Sequence, residues 1–158
     1  MKTEHVIVVG VDGSEGGRRA LHWAVEQASA RHASVRAVAA WSWDGIETMP
    51  PVAYSPAEER DRAWKVLRRE IEELPATARE GVSIADEVVE GRPADVLAAA
   101  ARDADLLVLG SHGRSRVWHA VLGSVSEECV RKAICPVVVV PVPRSTPVPA
   151  PAEPAVRA

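Results

Sequence analysis

The 158-residue chain has no phenylalanine, no asparagine, a single tyrosine and only two cysteines. Cys129 and Cys135 are too few for a disulfide framework and lack the spacing of a metal site, so both are read as reduced thiols. Among the basic residues only Lys2, Lys65 and Lys132 are lysines. The arginine excess and the missing asparagine have the character of a GC-rich coding sequence and carry no mechanism. A net charge of -3 and a pI near 6.0 leave no basic footprint, which argues against nucleic acid as a partner. No apolar run is long enough to cross a bilayer. Met1 to His5 lead into a short strand pattern, not into an apolar segment with a cleavage site. The expectation is a cytoplasmic protein with no leader and no membrane segment.

Familiar catalytic signatures are also missing. There is no G-x-x-x-x-G-K-S/T phosphate loop and no G-x-S-x-G nucleophile turn. His5, His22, His32 and His119 show no metal-ligand pattern. No pair of carboxylates adjoins a glycine turn to hold Mg²⁺ or to activate water. No catalytic residue and no metal ligand is assigned.

What remains is a composition of 47% hydrophobic and 26% charged residues, that of a globular chain with the length of one domain. Val6 to Val11 is an apolar, β-branched run that reads as a strand buried on both faces. Ser14 is placed to cap a helix from about Glu15 to Arg31, striped by Leu21, Ala24 and Ala28. Ser34 to Trp41 reads as a second strand, followed by a long loop over residues 42–55. Ser55-Pro56-Ala57-Glu58 is a capping box with proline in the first turn. It opens a helix that buries Trp64, Leu67, Ile71 and Leu74 and stops near Pro75. Val82 to Glu90 is a third strand, Ala94 to Arg102 a short helix and Asp105 to Leu109 a fourth strand. A last helix over Val125 to Ile134 precedes a fifth strand, Pro136 to Val142. Strands alternating with helices predict βαβ units and an open parallel sheet with helices on both faces. Residues 1–143 form the expected domain. Residues 144–158, rich in proline and alanine, are expected to be an extended or disordered tail.

Two turns carry chemistry. The first is Gly10-Val11-Asp12-Gly13-Ser14, after the first strand. The second is Gly110-Ser111-His112-Gly113, after the fourth, continued by Gly123-Ser124 at the start of the last helix. Glycines allow a sharp turn and a close approach to a ligand. A helix N-terminus presents unpaired N–H groups that favour an anion. If strands one and four are neighbours, the two turns face one another across the crevice where open α/β sheets bind ligands. Main-chain N–H groups of Gly113, Arg114, Ser124 and Val125 would then point at phosphates. The Ser124 and Ser126 hydroxyls would donate to them, Arg114 would add charge, and Ala40 would leave room for a base. Asp12 is placed to contact the ligand, to cap the following helix, or to do both. The glycine turns also admit a plainer reading as tight connections without a ligand. His112 is expected to point outward, and Trp118 to pack beneath the short helix.

The spacing Gly110, Gly113, Gly123, Ser124 resembles the nucleotide motif of the universal stress protein family. So do Val125-Ser126, Cys135-Pro136 with Val137 to Val140, and the strand ending Val9-Gly10-Val11-Asp12-Gly13-Ser14. The resemblance implies a Rossmann-like, doubly wound fold with strand order 3-2-1-4-5. It also implies ATP as ligand, with Mg²⁺ held mainly by phosphates and water, and a homodimer paired through residues 136–142. The site residues it points to are Gly10, Val11, Asp12, Ala40, Leu109, Gly110, His112, Gly113, Arg114, Gly123, Ser124, Val125 and Ser126. The implied role is ATP held as a structural or signalling ligand in a stress response. A slow ATPase or nucleotide hydrolase, and an interaction module without nucleotide, are the alternatives.

Overall fold

The computed structural model describes residues 4–43, 55–113 and 122–143. Five strands, β1 (Val6–Gly10), β2 (Ser34–Trp41), β3 (Ile84–Glu90), β4 (Leu106–Gly110) and β5 (Val137–Val140), form one sheet in the order β3-β2-β1-β4-β5. Every neighbouring pair is parallel. The helices are α1 (Glu15–Arg31), α2 (Pro56–Glu72), α3 (Ala76–Arg79), α4 (Pro93–Ala100) and α5 (Ser124–Lys132). The doubly wound fold and strand order expected from the sequence are those observed.

Strand alternation divides the core in two. Ile7, Val9 and Val11 of the first strand and its turn, Val35, Ala37 and Ala39 of β2, and Leu106 and Val108 of β4 pack under α1 and α2. Val8, Val38, Leu107 and Leu109 point to the other face, where they meet Ala94, Val96 and Leu97 of α4 and Cys129 of α5. The central strands are therefore continuous apolar runs, because both faces are covered.

Local signals set the helix ends. Ser14 caps α1, its hydroxyl accepting from Gly17 N–H. The Ser55–Glu58 capping box opens α2 as expected. The four-residue α3 was not anticipated. It lacks a side-chain cap, and so short a turn leaves no periodic signature. Buried Glu70 on α2 was likewise unforeseen; it lies 3.7 Å from Arg18 of α1 and 3.3 Å from Arg69.

The two sheet edges differ. Edge strand β3 exposes Asp86 and Glu87, charges of the kind that discourage pairing with another chain. Edge strand β5 is four valines, three of them half-buried. It stops at Val140, two residues before the expected end; the next donor facing β4, the Val142 N–H, goes to the Ser111 hydroxyl and not to main chain.

Candidate functional site

The chain moves outward from β1 through β2 to β3, then crosses to the far side of β1 to lay down β4 and β5. The reversal lies between β1 and β4, so their carboxyl ends open a crevice flanked by both glycine turns. The turns touch. A Cβ on Gly113 would stand 2.7 Å from Asp12 Oδ2.

Asp12 Oδ1 accepts from the Ser14 N–H at 3.0 Å and from the Ser14 hydroxyl. Ser14 in turn caps α1. The aspartate thus orders the capping serine with one oxygen and presents the other toward the opposite turn. Gly13 takes φ +79°, a backbone conformation that side chains with a Cβ rarely adopt. Gly110, Gly113 and Gly123 are not among the residues with positive φ. Close approach explains them. A Cβ on Gly110 would lie 2.5 Å from the Gly16 carbonyl carbon, and one on Gly123 would lie 3.1 Å from Ser111 O. Gly110 is therefore glycine because the first turn of α1 lies against it. The sequence leaves that bare Cα open between ligand approach and a tight connection.

A cavity of about 540 Å³ fills the crevice, within the usual range for small-molecule sites. Gly10, Val11, Asp12, Ala40, Leu109, Gly110, His112, Gly113, Gly123, Ser124, Val125 and Ser126 all line it. Arg114 and Trp118, the two other residues singled out there, lie outside the described residues. Its apolar lining, Val38, Ala40, Leu97, Leu109 and Val125, belongs to the α4/α5 side of the core. Its polar lining, Asp12, Ser14, Gly113, Gly123 and Ser124, comes from the two glycine turns and the start of α5. Gly123 is the N-cap of α5 and makes no side-chain cap bond. The first-turn N–H groups that follow it have no acceptor within the helix, and Ser124 is exposed beside them.

Two expectations change. His112 is half-buried, not outward: it lines the cavity, and its Nδ1 lies 3.1 Å from Ser111 Oγ. The Ser126 hydroxyl does not aim at the cavity mouth. Ser126 is buried, and its hydroxyl lies within donating distance of Gly123 O at 3.0 Å and Ser111 O at 3.2 Å, so it braces the loop.

Val38, Pro93, Leu97, Leu122, Gly17 and Glu127 also line the cavity and were missed. Val38 was accessible in principle, since it lies two residues before Ala40 on the same side of β2. Leu97 was not, because its place depends on how α4 crosses the sheet.

Outside the cleft, α4 and α5 are clamped together by charge. Lys132 Nζ contacts Asp95 and Glu128, and Arg92 contacts the same two carboxylates. The Lys132 hydrogen bond holds both carboxyl groups below their ordinary range, and the lysine is held above its own. Beneath them burial pushes the Cys129 thiol up to about 11, so it is a packing group and not a nucleophile. Among the described residues no three His, Cys, Asp or Glu side chains are grouped to hold a metal, and no helix is long and apolar enough to cross a membrane.

Comparison with known proteins agrees with this fold. The profile of the universal stress protein family matches residues 4–141. A universal stress protein of Mycobacterium tuberculosis is 36% identical over 151 residues, covering 91% of this chain and 46% of its own length. A second from the same organism is 31% identical over 144 residues, covering 88% and 48%. The chain thus spans about half the length of the curated relatives it matches. Among solved structures, a universal stress protein in complex with cAMP superposes with a TM-score of 0.63 at 28% identity, covering 87% of this chain and 96% of that one. A family protein from Burkholderia pseudomallei gives a TM-score of 0.63 at 28% identity, covering 90% and 99%.

Proposed function

The chain belongs to the universal stress protein family, and from its cleft we propose that it binds an adenine nucleotide, ATP, as a structural or signalling ligand of a stress response. One observation carries the reading. The cavity at the β1/β4 reversal joins an apolar wall from the α4/α5 side of the core to polar turns and a helix start, which suits the base and the phosphates of a nucleotide. The base would lie among Val38, Ala40, Leu97 and Leu109. The ribose would approach Asp12. The phosphates would meet the N–H groups of Gly113, Ser124 and Val125, and the Ser124 hydroxyl. A family member 28% identical to this chain has been solved with cAMP, which supports the adenine nucleotide.

The residues present fit such a ligand: bare Cα atoms at Gly113 and Gly123 let the polar turns lie together, since a Cβ would press on the Asp12 carboxylate or the Ser111 carbonyl. Magnesium, when bound, would neutralise phosphate charge and take most of its ligands from phosphate and water. The protein itself holds and orients.

Asp12 is already engaged by Ser14, which supports a holding role over rapid turnover. We place the protein in the cytoplasm and pair it as a two-fold dimer through 136–142, the apolar edge. Light scattering at micromolar concentration tests the dimer, and a monomer mass rejects it.

Calorimetric titration with ATP, ADP and cAMP, with mass spectrometry of small molecules released from freshly purified protein, tests the nucleotide. The expected result is saturable ATP binding with a rise in thermal stability, and Mg²⁺-dependent turnover no greater than buffer. Protein that neither carries nor takes up any adenine nucleotide rejects the proposal.

A further inference from the structure

The segment leaving β5 has one main-chain N–H, that of Val142, because Pro141 and Pro143 have none. It donates to Ser111 Oγ at 3.1 Å. On the acceptor side, Arg19 Nε of α1 donates to Pro141 O at 3.0 Å. Val142 Cγ2 also lies 3.4 Å from where a Cβ on Gly16 would stand. The chain leaving the sheet edge is therefore fastened to Ser111, beside the 111–113 turn, and to α1.

The fastening point is buried. Ser111 is 6% exposed and does not line the cavity. Its N–H donates to Val140 O at 2.8 Å, and its carbonyl accepts from Gly123 N–H at 2.6 Å and faces the Ser126 hydroxyl at 3.2 Å. Its hydroxyl accepts from Val142 and lies 3.1 Å from His112 Nδ1. Two of these bonds run to the edge strand and its exit. The other three run to Gly123, Ser126 and His112, which line the cleft.

We infer that Ser111 is a positioning residue that links ligand occupancy of the cleft to the order of the β5 exit at Pro141, Val142 and Pro143. The inference rests on the nucleotide reading above. A ligand held by the N–H groups of Gly113 and Ser124 restricts the 111–113 turn and the Gly123 junction. Both hang on Ser111, whose displacement would also break the bonds to Val140 and Val142. Ordering one side lowers the cost of ordering the other, and the effect is reciprocal.

The experiment uses the full chain and MgATP, with binding first measured by calorimetry. Amide exchange at Val142 is then followed by NMR with and without saturating MgATP. The wild type and Ser111→Thr, which keeps the hydroxyl, are expected to show Val142 exchange slowed about fivefold or more by ATP, the lower end of common coupling strengths. Ser111→Ala is expected to lose that slowing. Val142→Pro removes the donor and leaves Ser111 and the cavity lining intact. By reciprocity it should weaken ATP binding about fivefold, and it decides the question should Ser111→Ala fail to fold. Wild-type protein that takes up no ATP overturns the nucleotide reading and this linkage with it. ATP uptake with unchanged Val142 exchange overturns the linkage alone. So does equal slowing in Ser111→Ala, or wild-type affinity in Val142→Pro.

Discussion

At the carboxyl rim of the sheet the two faces are closed to different degrees. On the α1 face main chain meets main chain: a Cβ on Gly110 would stand 2.5 Å from the Gly16 carbonyl carbon, and one on Gly16 would stand 2.2 Å from His112 O. On the α4/α5 face the matching glycine of β1, Gly10, meets only leucine methyls, Leu97 Cδ1 at 2.9 Å and Leu109 Cδ2 at 3.1 Å. The first face has no room to give, whereas the second is bounded by flexible side-chain tips and holds the apolar wall of the cavity. Glycines at the ends of β1 and β4 thus serve different ends: Gly110 lets main chain close one face of the rim, while Gly10 faces the leucine tips of the other.

The sharpest break of this contrast is Gly110→Ala. With backbone on the far side, the added methyl must displace α1, and we expect a loss of about 3 kcal/mol, read as a fall in Tm of about 10 °C. Gly10→Ala on the open face should lose no more than about 1 kcal/mol, because leucine tips can move. Equal losses in urea unfolding would contradict the contrast.

Gly113→Ala comes next. Its methyl would push against the Asp12 carboxylate, a side chain, so ATP affinity should fall more than tenfold, over about 1.4 kcal/mol, while stability falls less. Loss of both in equal measure would make Gly113 a turn residue only. Ser124→Ala removes one exposed hydroxyl at the phosphate end and should weaken ATP binding by about tenfold, with unfolding unchanged. An unaltered dissociation constant would take Ser124 out of the site.

A separate effect is a pH dependence at the α4/α5 seam. Burial raises the Cys129 thiol from 9.0 to about 11, so the folded protein keeps its proton where the unfolded chain has lost it. That contribution is complete below pH 9.0 and fades as pH climbs toward about 11. Thermal unfolding should show a decline across that window, and Cys129→Ala should flatten it. A decline of the same depth in both proteins would assign it elsewhere.

Sequence reading reached the sheet, its order and most of the cleft for a physical reason. Alternating apolar runs, capping boxes and glycine turns are local signals, and the family motif placed the turns on neighbouring strands. It left Gly110 between ligand approach and a tight connection because it could not see α1 lying across the end of β4. It turned His112 outward because nothing in G-S-H-G shows a buried serine drawing the imidazole in. Leu97 and Glu127 were out of reach, since only helix packing brings them to the cavity. The short α3 and buried Glu70 depend on tertiary contacts that leave no periodic trace.

The most direct test of the central claim, an adenine nucleotide seated on the α4/α5 side of the β1/β4 crevice, is photolabelling with 8-azido-ATP followed by peptide mass spectrometry. The label should fall on Val38 to Ala40 and Pro93 to Leu97, and excess ATP should suppress it. Label carried by α1 or α2, or label that excess ATP leaves untouched, would contradict the claim.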